Sequence, residues 1–311
     1  MNVDSKIYIA GHTGMVGSSL VRQFQSQGFN NIITITESEL NLCDSEAVDS
    51  FFVKEQPEYV ILAAAKVGGI EANRKDPLGF LRVNLMIQDN VFASSYKYKV
   101  KKILFLGSSC IYPRECPQPI KEEYFMTGPL EPTNEGYALA KIVGFKTAQY
   151  YYEQYGLISV CPMPCNLYGT NDSFDPVHSH VLSALVRKFT NAVDDNLSEI
   201  TMWGSGIARR EFLHVNDLAR AVFLLLNKME TPEIINVGSG EDISIKGLAE
   251  MIGGKTGFTG EIHWDTTKPD GMLRKCLEVS KIKELGFEPE ISLSEGIDGV
   301  MKEYQKIKNK K

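Results

Sequence analysis

Ile7-Tyr8-Ile9-Ala10-Gly11-His12-Thr13-Gly14-Met15-Val16-Gly17 starts as an apolar run, stops at a turn with three glycines and continues into a helical pattern. In a strand–turn–helix unit the first glycine permits a tight turn. The second lets a pyrophosphate approach the backbone, and the third lets helix pack closely on strand. The helix N-terminus then offers unpaired N–H groups and positive potential to phosphate. The spacing G-x-x-G-x-x-G is the short-chain form of the dinucleotide fingerprint. The strand before it and the helix after it separate it from a purely structural turn.

Outward from this turn, apolar runs alternate with helical patterns. Strands are expected at Lys6–Ala10, Ile32–Thr36, Tyr59–Ala63, Ile103–Leu106 and Ser159–Met163. Helices are expected at Met15–Gln27, Ser45–Glu55, Pro77–Tyr98 and Asn134–Tyr155. This alternation specifies an α/β fold, a Rossmann-like doubly wound parallel sheet with helices on both faces. The rhythm breaks after Asn166, with Gly, Asn, Asp and Pro gathered between Gly169 and Pro176. Helices come next at Ser179–Ala192, Val215–Lys228, Ile245–Thr256 and Leu293–Lys306, with short strands near Ile200–Met202, Glu211–Leu213 and Glu233–Val237. The division expected is residues 1–166 mainly for the dinucleotide-binding domain and 167–311 mainly for a smaller α/β substrate-binding lobe. Residues of about 210–240 return to the larger domain.

Ser108, Tyr137 and Lys141 supply a chemistry for this frame. Tyr137 and Lys141 are four apart in a helical pattern and point from one face. A lysine beside a phenol favours the phenolate, so Lys141 is expected to lower the pKa of Tyr137 from about 10. A nucleotide-binding turn with a tuned phenol points to hydride transfer to or from a carbonyl.

The bulk properties narrow the class. The chain has 311 residues and a net charge of −6, which argues against nucleic-acid binding as its task. The basic end Lys306–Lys311 reads as a solvated helix terminus. No apolar stretch approaches the roughly 18 residues of a membrane span, and no signal-peptide pattern precedes the first strand. None of the six cysteines (Cys43, Cys110, Cys116, Cys161, Cys165 and Cys276) forms a Cys-x-x-Cys pair. A reducing cytoplasm fits such a chain. His178-x-His180 has no Asp, Glu or Cys ligands at matching spacing, so no metal site is expected.

The choice of cofactor turns on the residues downstream of the glycine turn. An acid about 20 residues past the fingerprint commonly binds the ribose diol of NAD, and a nearby arginine accommodates the phosphate of NADP. Glu37 lies 20 residues after Gly17, and no arginine stands at Thr13 or between Ile32 and Leu42. NAD(H) therefore stands beside NADP(H), and Glu37 also reads as a solvated loop acid.

Several segments carry a family likeness over essentially the whole chain. They include Gly11–Gly17, Ala63-Ala64-Ala65-Lys66-Val67-Gly68-Gly69-Ile70, Gly107-Ser108-Ser109-Cys110-Ile111-Tyr112-Pro113 and Glu131-Pro132-Thr133-Asn134 with Tyr137-Ala138-Leu139-Ala140-Lys141 after it. The match continues through Asn166-Leu167-Tyr168-Gly169, Ser179-His180-Val181, Trp203-Gly204-Ser205-Gly206, Arg210–Val215 and Lys268-Pro269-Asp270-Gly271. The chain resembles the extended short-chain dehydrogenase/reductases, and within them the GDP-L-fucose synthase family of 3,5-epimerase/4-reductases.

The resemblance implies roles. Tyr137 would protonate the C4 oxygen as hydride arrives, Lys141 would bind the nicotinamide ribose, and Ser108 would hydrogen-bond the carbonyl. Cys110 and His180 would move protons at C3 and C5. NADP(H) would be held by Gly11, Thr13, Gly14, Met15, Val16, Gly17, Glu37, Leu42, Ala64, Leu106, Gly107, Lys141, Pro164, Asn166, Leu167 and His180. A GDP-linked 4-keto sugar would meet Ser109, Asn166, Lys188, Trp203, Arg210 and Asp270. The family also implies a homodimer that packs the helices near Pro77–Tyr98 and Asn134–Tyr155.

Bland readings stand beside these roles. Ser108 also reads as a cap after its strand, Cys110 as a small buried apolar residue, and His180 as a helix cap. Trp203 and Arg210 also read as packing and surface residues, and His214 and Asp217 as organisers of a helix start. The chain departs from the family pattern at Thr13 and Glu37, where many members carry arginines. It also departs at Gly136 and Ser183, where prolines are usual, and at Cys165, where threonine is usual. These departures keep open a reductase-only enzyme for a GDP-4-keto-6-deoxy-heptose. A 4,6-dehydratase would need an acidic pair beside the serine, which Ser108-Ser109-Cys110 does not supply. A non-catalytic NAD(P)-binding module would tolerate loss of Tyr137.

Overall fold

The first half of the chain runs through β1 (Ile7–Ala10), α1 (Met15–Ser26), β2 (Ile32–Ile33), α2 (Ser45–Glu55), β3 (Tyr59–Leu62), α3 (Ile70–Lys75), α4 (Pro77–Lys97), β4 (Lys102–Phe105), α5 (Glu135–Tyr155) and β5 (Ser159–Pro164) in a computed structural model. The second half carries β6 (Asn166–Tyr168), α6 (Val181–Asp194), β7 (Glu199–Trp203), β8 (Arg209–His214), α7 (Val215–Lys228), β9 (Ile234–Val237), β10 (Asp242–Ser244), α8 (Ile245–Thr256), β11 (Glu261–Asp265), β12 (Arg274–Lys275), α9 (Ser280–Glu284) and α10 (Leu293–Lys308). The structure describes residues 1–175, 179–268 and 270–309. Pro176, His178, Pro269 and the last two lysines of the basic end lie outside the described residues.

Six strands form one parallel sheet in the order β2-β1-β3-β4-β5-β9. β1, β4, β5 and β9 are buried along their whole length, as expected for apolar strands covered by helices on both faces. β2 and β3 leave β1 on opposite sides, so the strand order reverses there. Ligands of open parallel sheets bind at such a reversal, outside the carboxyl ends of the strands. The glycine turn sits at that point. Gly11 has φ of +83°, and a Cβ on it would stand 2.8 Å from the backbone of Ala64 after β3. A Cβ on Gly17 would lie 2.0 Å from the Gly11 carbonyl oxygen. These two contacts seat α1 directly over β1.

A second hydrophobic core gathers Leu185, Val186 and Phe189 of α6, Leu248 and Ile252 of α8, and Ile297 and Val300 of α10. It packs beside two small sheets, one holding β6, β8, β10 and β12 and the other β7 and β11. Leu218, Val222 and Leu225 of α7, together with Val237, Leu277 and Ile282, return to the first core. β8 serves both cores. Successive strand residues point to opposite faces, and Phe212 joins the second core while Leu213 joins the first.

Some boundaries differ from the sequence reading. β2 ends at Ile33 rather than Thr36, because the Glu39 carboxylate takes both the amide and the hydroxyl of Thr36 into a turn. α6 starts at Val181, two residues after the expected start. β6, β10, β11, β12, α3 and α9 are not among the expected elements. Each has two to six residues, too few to display a period.

The closeness of Gly17 to Gly11 yields a stability prediction. Gly17→Ala meets backbone rather than a flexible side-chain end, so it is expected to destabilise the chain by about 1–3 kcal/mol, the usual range for overpacking. Urea unfolding monitored by circular dichroism checks this, and an unchanged midpoint would contradict the packing described.

Candidate active site

β4 delivers the chain to the carboxyl edge of the sheet, where Gly107 and Ser108 leave it. A Cβ on Gly107 would meet the Met163 sulfur at 2.1 Å, which fixes this exit against β5. The Ser108 hydroxyl accepts the Cys110 amide at 3.2 Å and caps the short helical turn Ser109–Ile111. It also hydrogen-bonds Tyr137. Ser108 thus caps this turn while its hydroxyl faces Tyr137.

α5 brings Tyr137 and Lys141 to the same edge. Its close approach depends on glycine: a Cβ on Gly144 would strike the Phe105 ring at 2.2 Å, and one on Gly136 would lie 2.5 Å from the Pro77 carbonyl oxygen. Lys141 is buried. Its ammonium donates to the Leu106 carbonyl at 2.7 Å and lies 5.7 Å from the centre of the Tyr137 ring and 4.8 Å from that of Phe105.

This geometry corrects the expected tuning of Tyr137. Burial of its hydroxyl raises its pKa above the ordinary phenol value, the charge of Cys110 adds to the rise, and the Ser108 hydrogen bond opposes it. Burial lowers Lys141 to about 8, with Cys110 opposing. Lys141 is not among the groups that shift the phenol, so burial sets the direction and Tyr137 rests protonated.

Cys110 stands in a polar setting. Asn134 Nδ2 is 3.1 Å from its sulfur and Lys275 Nζ of β12 is 3.6 Å away. Asn134 Oδ1, on the same amide, is buried without a hydrogen-bond donor. Glu131 Oε2 faces Arg114 at 3.5 Å. His180 is exposed at the N-cap of α6, and its side chain caps nothing, which removes its capping reading. It lies near Asp172, whose buried carboxylate accepts the Ser183 hydroxyl and is raised in pKa by burial, with His180 opposing.

Of the expected sugar-nucleotide residues, Arg210 and Asp270 lie near each other. Lys188 donates to the Thr201 carbonyl, and burial lowers its pKa. Trp203 is 70% exposed, with the Lys268 ammonium 5.7 Å from its ring centre. Arg210 donates to the Met272 and Arg209 carbonyls at 2.6 and 2.8 Å and feels the charges of Glu131 and Asp270. Asp270 accepts the Ser205 amide at 2.7 Å and its hydroxyl at 2.8 Å. Asn166 Nδ2 donates to the Glu211 carbonyl at 2.8 Å, while Ser109 is buried under the site.

On the dinucleotide side, Leu42 is buried and Thr13 and Glu37 are exposed. The N-terminus of α1 carries no side-chain cap at Gly14 and no acid in its first turn. Pro164 ends β5 and Leu167 lies in β6, next to Asn166. An uncapped, uncharged helix start, seated by Gly11 and Gly17 and opening at Gly14, fits a pyrophosphate. Among the described residues no group of three or more His, Cys, Asp or Glu could hold a metal ion, and no helix is long and apolar enough to cross a membrane.

Sequence reading missed Lys275, Asn134 as a partner of Cys110, Asp172 and Lys268. Asn134 sits within a quoted motif, but nothing in its spacing showed that it meets the thiol. Lys275 arrives from 165 positions further along the chain. The helix-start reading of His214 holds, since its ring accepts the Asn216 amide at 3.2 Å.

The chain belongs to the NAD dependent epimerase/dehydratase family, whose model matches residues 7–238. It is 53% identical over 300 residues to a putative GDP-L-fucose synthase 2 of Arabidopsis thaliana, covering 96% of this chain and 92% of that one. It is 45% identical over 301 residues to the GDP-L-fucose synthase of Escherichia coli, covering 94% of each. A GDP-mannoheptose C4 reductase from Campylobacter jejuni, solved with NADP bound, superposes with a TM-score of 0.90 at 36% identity, covering 98% of this chain and 99% of that one.

The burial of Lys141 has a measurable signature. Its ammonium is expected to titrate near pH 8, against an ordinary value of 10.5, in NMR of lysine-labelled protein. Because the unfolded chain holds that proton more tightly, this group makes stability rise with pH between about 8 and 10.5. Lys141→Met should remove that rise in unfolding experiments. A Lys141 midpoint near 10.5 would contradict the burial.

Proposed function

We propose that this chain reduces the C4 ketone of a GDP-linked 4-keto-6-deoxy sugar with NADPH, after exchanging protons at C3 and C5. The observation that carries this reading is the presence in one site of a carbonyl-directed pair, Ser108 and Tyr137, with the thiol of Cys110. The bound dinucleotide would supply hydride to C4.

A C4 ketone acidifies the neighbouring C3 and C5 positions, because the carbanion delocalises onto oxygen. Ser108 and Tyr137 hydrogen-bond that oxygen and stabilise the enolate. Cys110 and His180 carry protons to and from carbon, with Asn134 directing the sulfur. Tyr137, held protonated by burial, then donates its proton to the C4 oxygen during reduction. Lys141 lies next to the ring to orient the ribose and balance the charge that develops. Trp203, Arg210, Lys188 and Asp270 bind the nucleotide end. Gly11, Gly14 and the start of α1 take the pyrophosphate, with Thr13 and Glu37 near the adenosine. Those two residues leave NADPH without the arginines usual in the family, so NADH is accepted as well.

A second reading is reduction without epimerisation on a GDP-4-keto-heptose. Gly136, Cys165 and Ser183 favour it, since they alter the surroundings of the sugar and leave the Tyr137 machinery unchanged. The likeness to the heptose C4 reductase favours it too. For the assembly we propose a homodimer through α4 and α5, where Leu78, Met86, Leu139, Val143, Tyr150 and Tyr155 leave an exposed apolar face. Six free thiols suit the cytoplasm.

The direct test is incubation with NADPH and a panel of GDP- and dTDP-linked 4-keto sugars, with NMR of the products. Turnover of the GDP-linked 4-keto-6-deoxy hexose is expected; turnover of none of the panel would refute the reading. Tyr137→Phe should retain dinucleotide binding and lose about 10²–10⁴-fold in turnover.

Proton exchange has its own check. Without NADPH, solvent deuterium should enter C3 or C5 of the 4-keto substrate. Cys110→Ser should slow that exchange and leave reduction of an already epimerised substrate largely intact. A wild-type protein that reduces C4 with no deuterium at C3 or C5 would leave the reductase-only reading in its place.

A further inference from the structure

Glu211 is 0% exposed in the middle of β8, and the chemistry above does not use it. One carboxylate oxygen accepts the Gly240 amide at 2.7 Å and the other accepts the Leu277 amide at 2.8 Å. The Ser239 amide adds a third bond. Gly238 presses against the same group, since a Cβ there would lie 2.1 Å from Oε1. The Glu211 carbonyl in turn accepts the Asn166 side chain. Among the described residues no lysine or arginine forms an ion pair with Glu211, so backbone amides alone compensate a buried acid. Amide donors can do so when several converge on one carboxylate.

These bonds join segments of both cores. Gly240 comes after β9 and Leu277 after β12, while Phe212 and Leu213 on either side of the β8 ladder belong to the two cores. β12 is the strand that presents Lys275 to Cys110. Its backbone is held at Lys275 by register with Arg210 and, two residues later, by the bond from Leu277 to Glu211. A displacement of about 1 Å there would undo a sulfur contact that is 3.6 Å long.

We propose that Glu211 is a positioning residue: its carboxylate fixes the strand that holds Lys275 against Cys110, and so governs proton exchange at carbon rather than reduction at C4. The inference rests on the epimerase reading for its kinetic part. Burial pushes the Glu211 carboxyl up to about 7, with Asp242 adding to the rise and its backbone amides opposing it. Cys165 and Cys276 are the other titratable groups that feel its charge.

Glu211→Gln retains the volume but turns one acceptor into a donor that faces an amide. Losing one buried hydrogen bond corresponds to about tenfold in an equilibrium. In the variant, hydrogen–deuterium exchange at Gly240 and Leu277 should accelerate by about tenfold, and deuterium entry at C3 and C5 should slow to a similar extent. Reduction of an epimerised substrate should stay within about twofold. Alkylation of Cys110 by iodoacetamide, read by peptide mass spectrometry, should change in the same direction as in Lys275→Met. Lys275→Met should leave the Gly240 amide unaffected.

Equal losses in exchange and reduction would make Glu211 merely structural and overturn the proposal. So would unchanged amide protection and unchanged Cys110 alkylation. If Glu211→Gln does not fold, Glu211→Asp, which keeps the charge on a shorter arm, is read by the same criteria. If the wild type shows no deuterium entry at all, the epimerase reading fails by itself, and the amide and alkylation measurements still decide whether Glu211 sets the Lys275–Cys110 contact.

Discussion

The burial of one ammonium group organises the site. Lys141 lies between α5 and β4, bonded to the Leu106 carbonyl and facing the rings of Phe105 and Tyr137. A charge in that place is costly unless its neighbours are polar or aromatic. The helix must therefore lie close enough for the lysine to reach the strand's last carbonyl. Gly144 makes that approach sterically allowed. Once α5 is seated so, Tyr137, four residues back, stands over the exit of β4, where Ser108 and Cys110 emerge. The same burial that depresses the lysine also raises the phenol. The site therefore has a neutral phenol and a weakly held ammonium side by side.

Much of this was legible from residue order because the responsible spacings are local. The glycine turn lies within seven residues, and Tyr137 and Lys141 within one helical turn. The parallel sheet was readable from runs long enough to show a period. The direction of the Tyr137 shift was not legible. Adjacency of a lysine could be read from the chain, but the enclosure that dominates the balance arises only when β4, α5 and the Ser109–Ile111 turn close together. The contacts of Lys275 and Glu211 were hidden for a related reason. Each works through a partner far away in the sequence, which the local strand pattern around Glu211 does not mark. The turn after β2 shows a smaller version of this effect, since Glu39 draws Thr36 away from a ladder its own composition would have favoured.

The polar setting of Cys110 separates it from the other thiols. Cys161 and Cys276 are buried, and burial raises both. Cys110 instead has an amide and an ammonium within reach, and Asn134 Oδ1 beside it has no hydrogen-bond donor. Buried acceptors without donors are uncommon in folded proteins. The open acceptor of Asn134 adjoins the thiol that the proposed proton exchange uses.

β8 carries one further implication. Because Phe212 and Leu213 belong to different cores, the two cores are riveted along a common strand. Rotating one against the other would shear the pairing of β8 with β6, β10 and β12 together. Relative motion of the cores would therefore cost backbone pairing on both sides of β8. The loop from Trp203 to Ile207 stands apart from this shared strand: Gly204 and Gly206 both take left-handed backbone angles, and the Trp203 ring lies largely in solvent. Asp270 accepts both the amide and the hydroxyl of Ser205, so the exposed ring is carried on a loop tied to a distant segment of the chain.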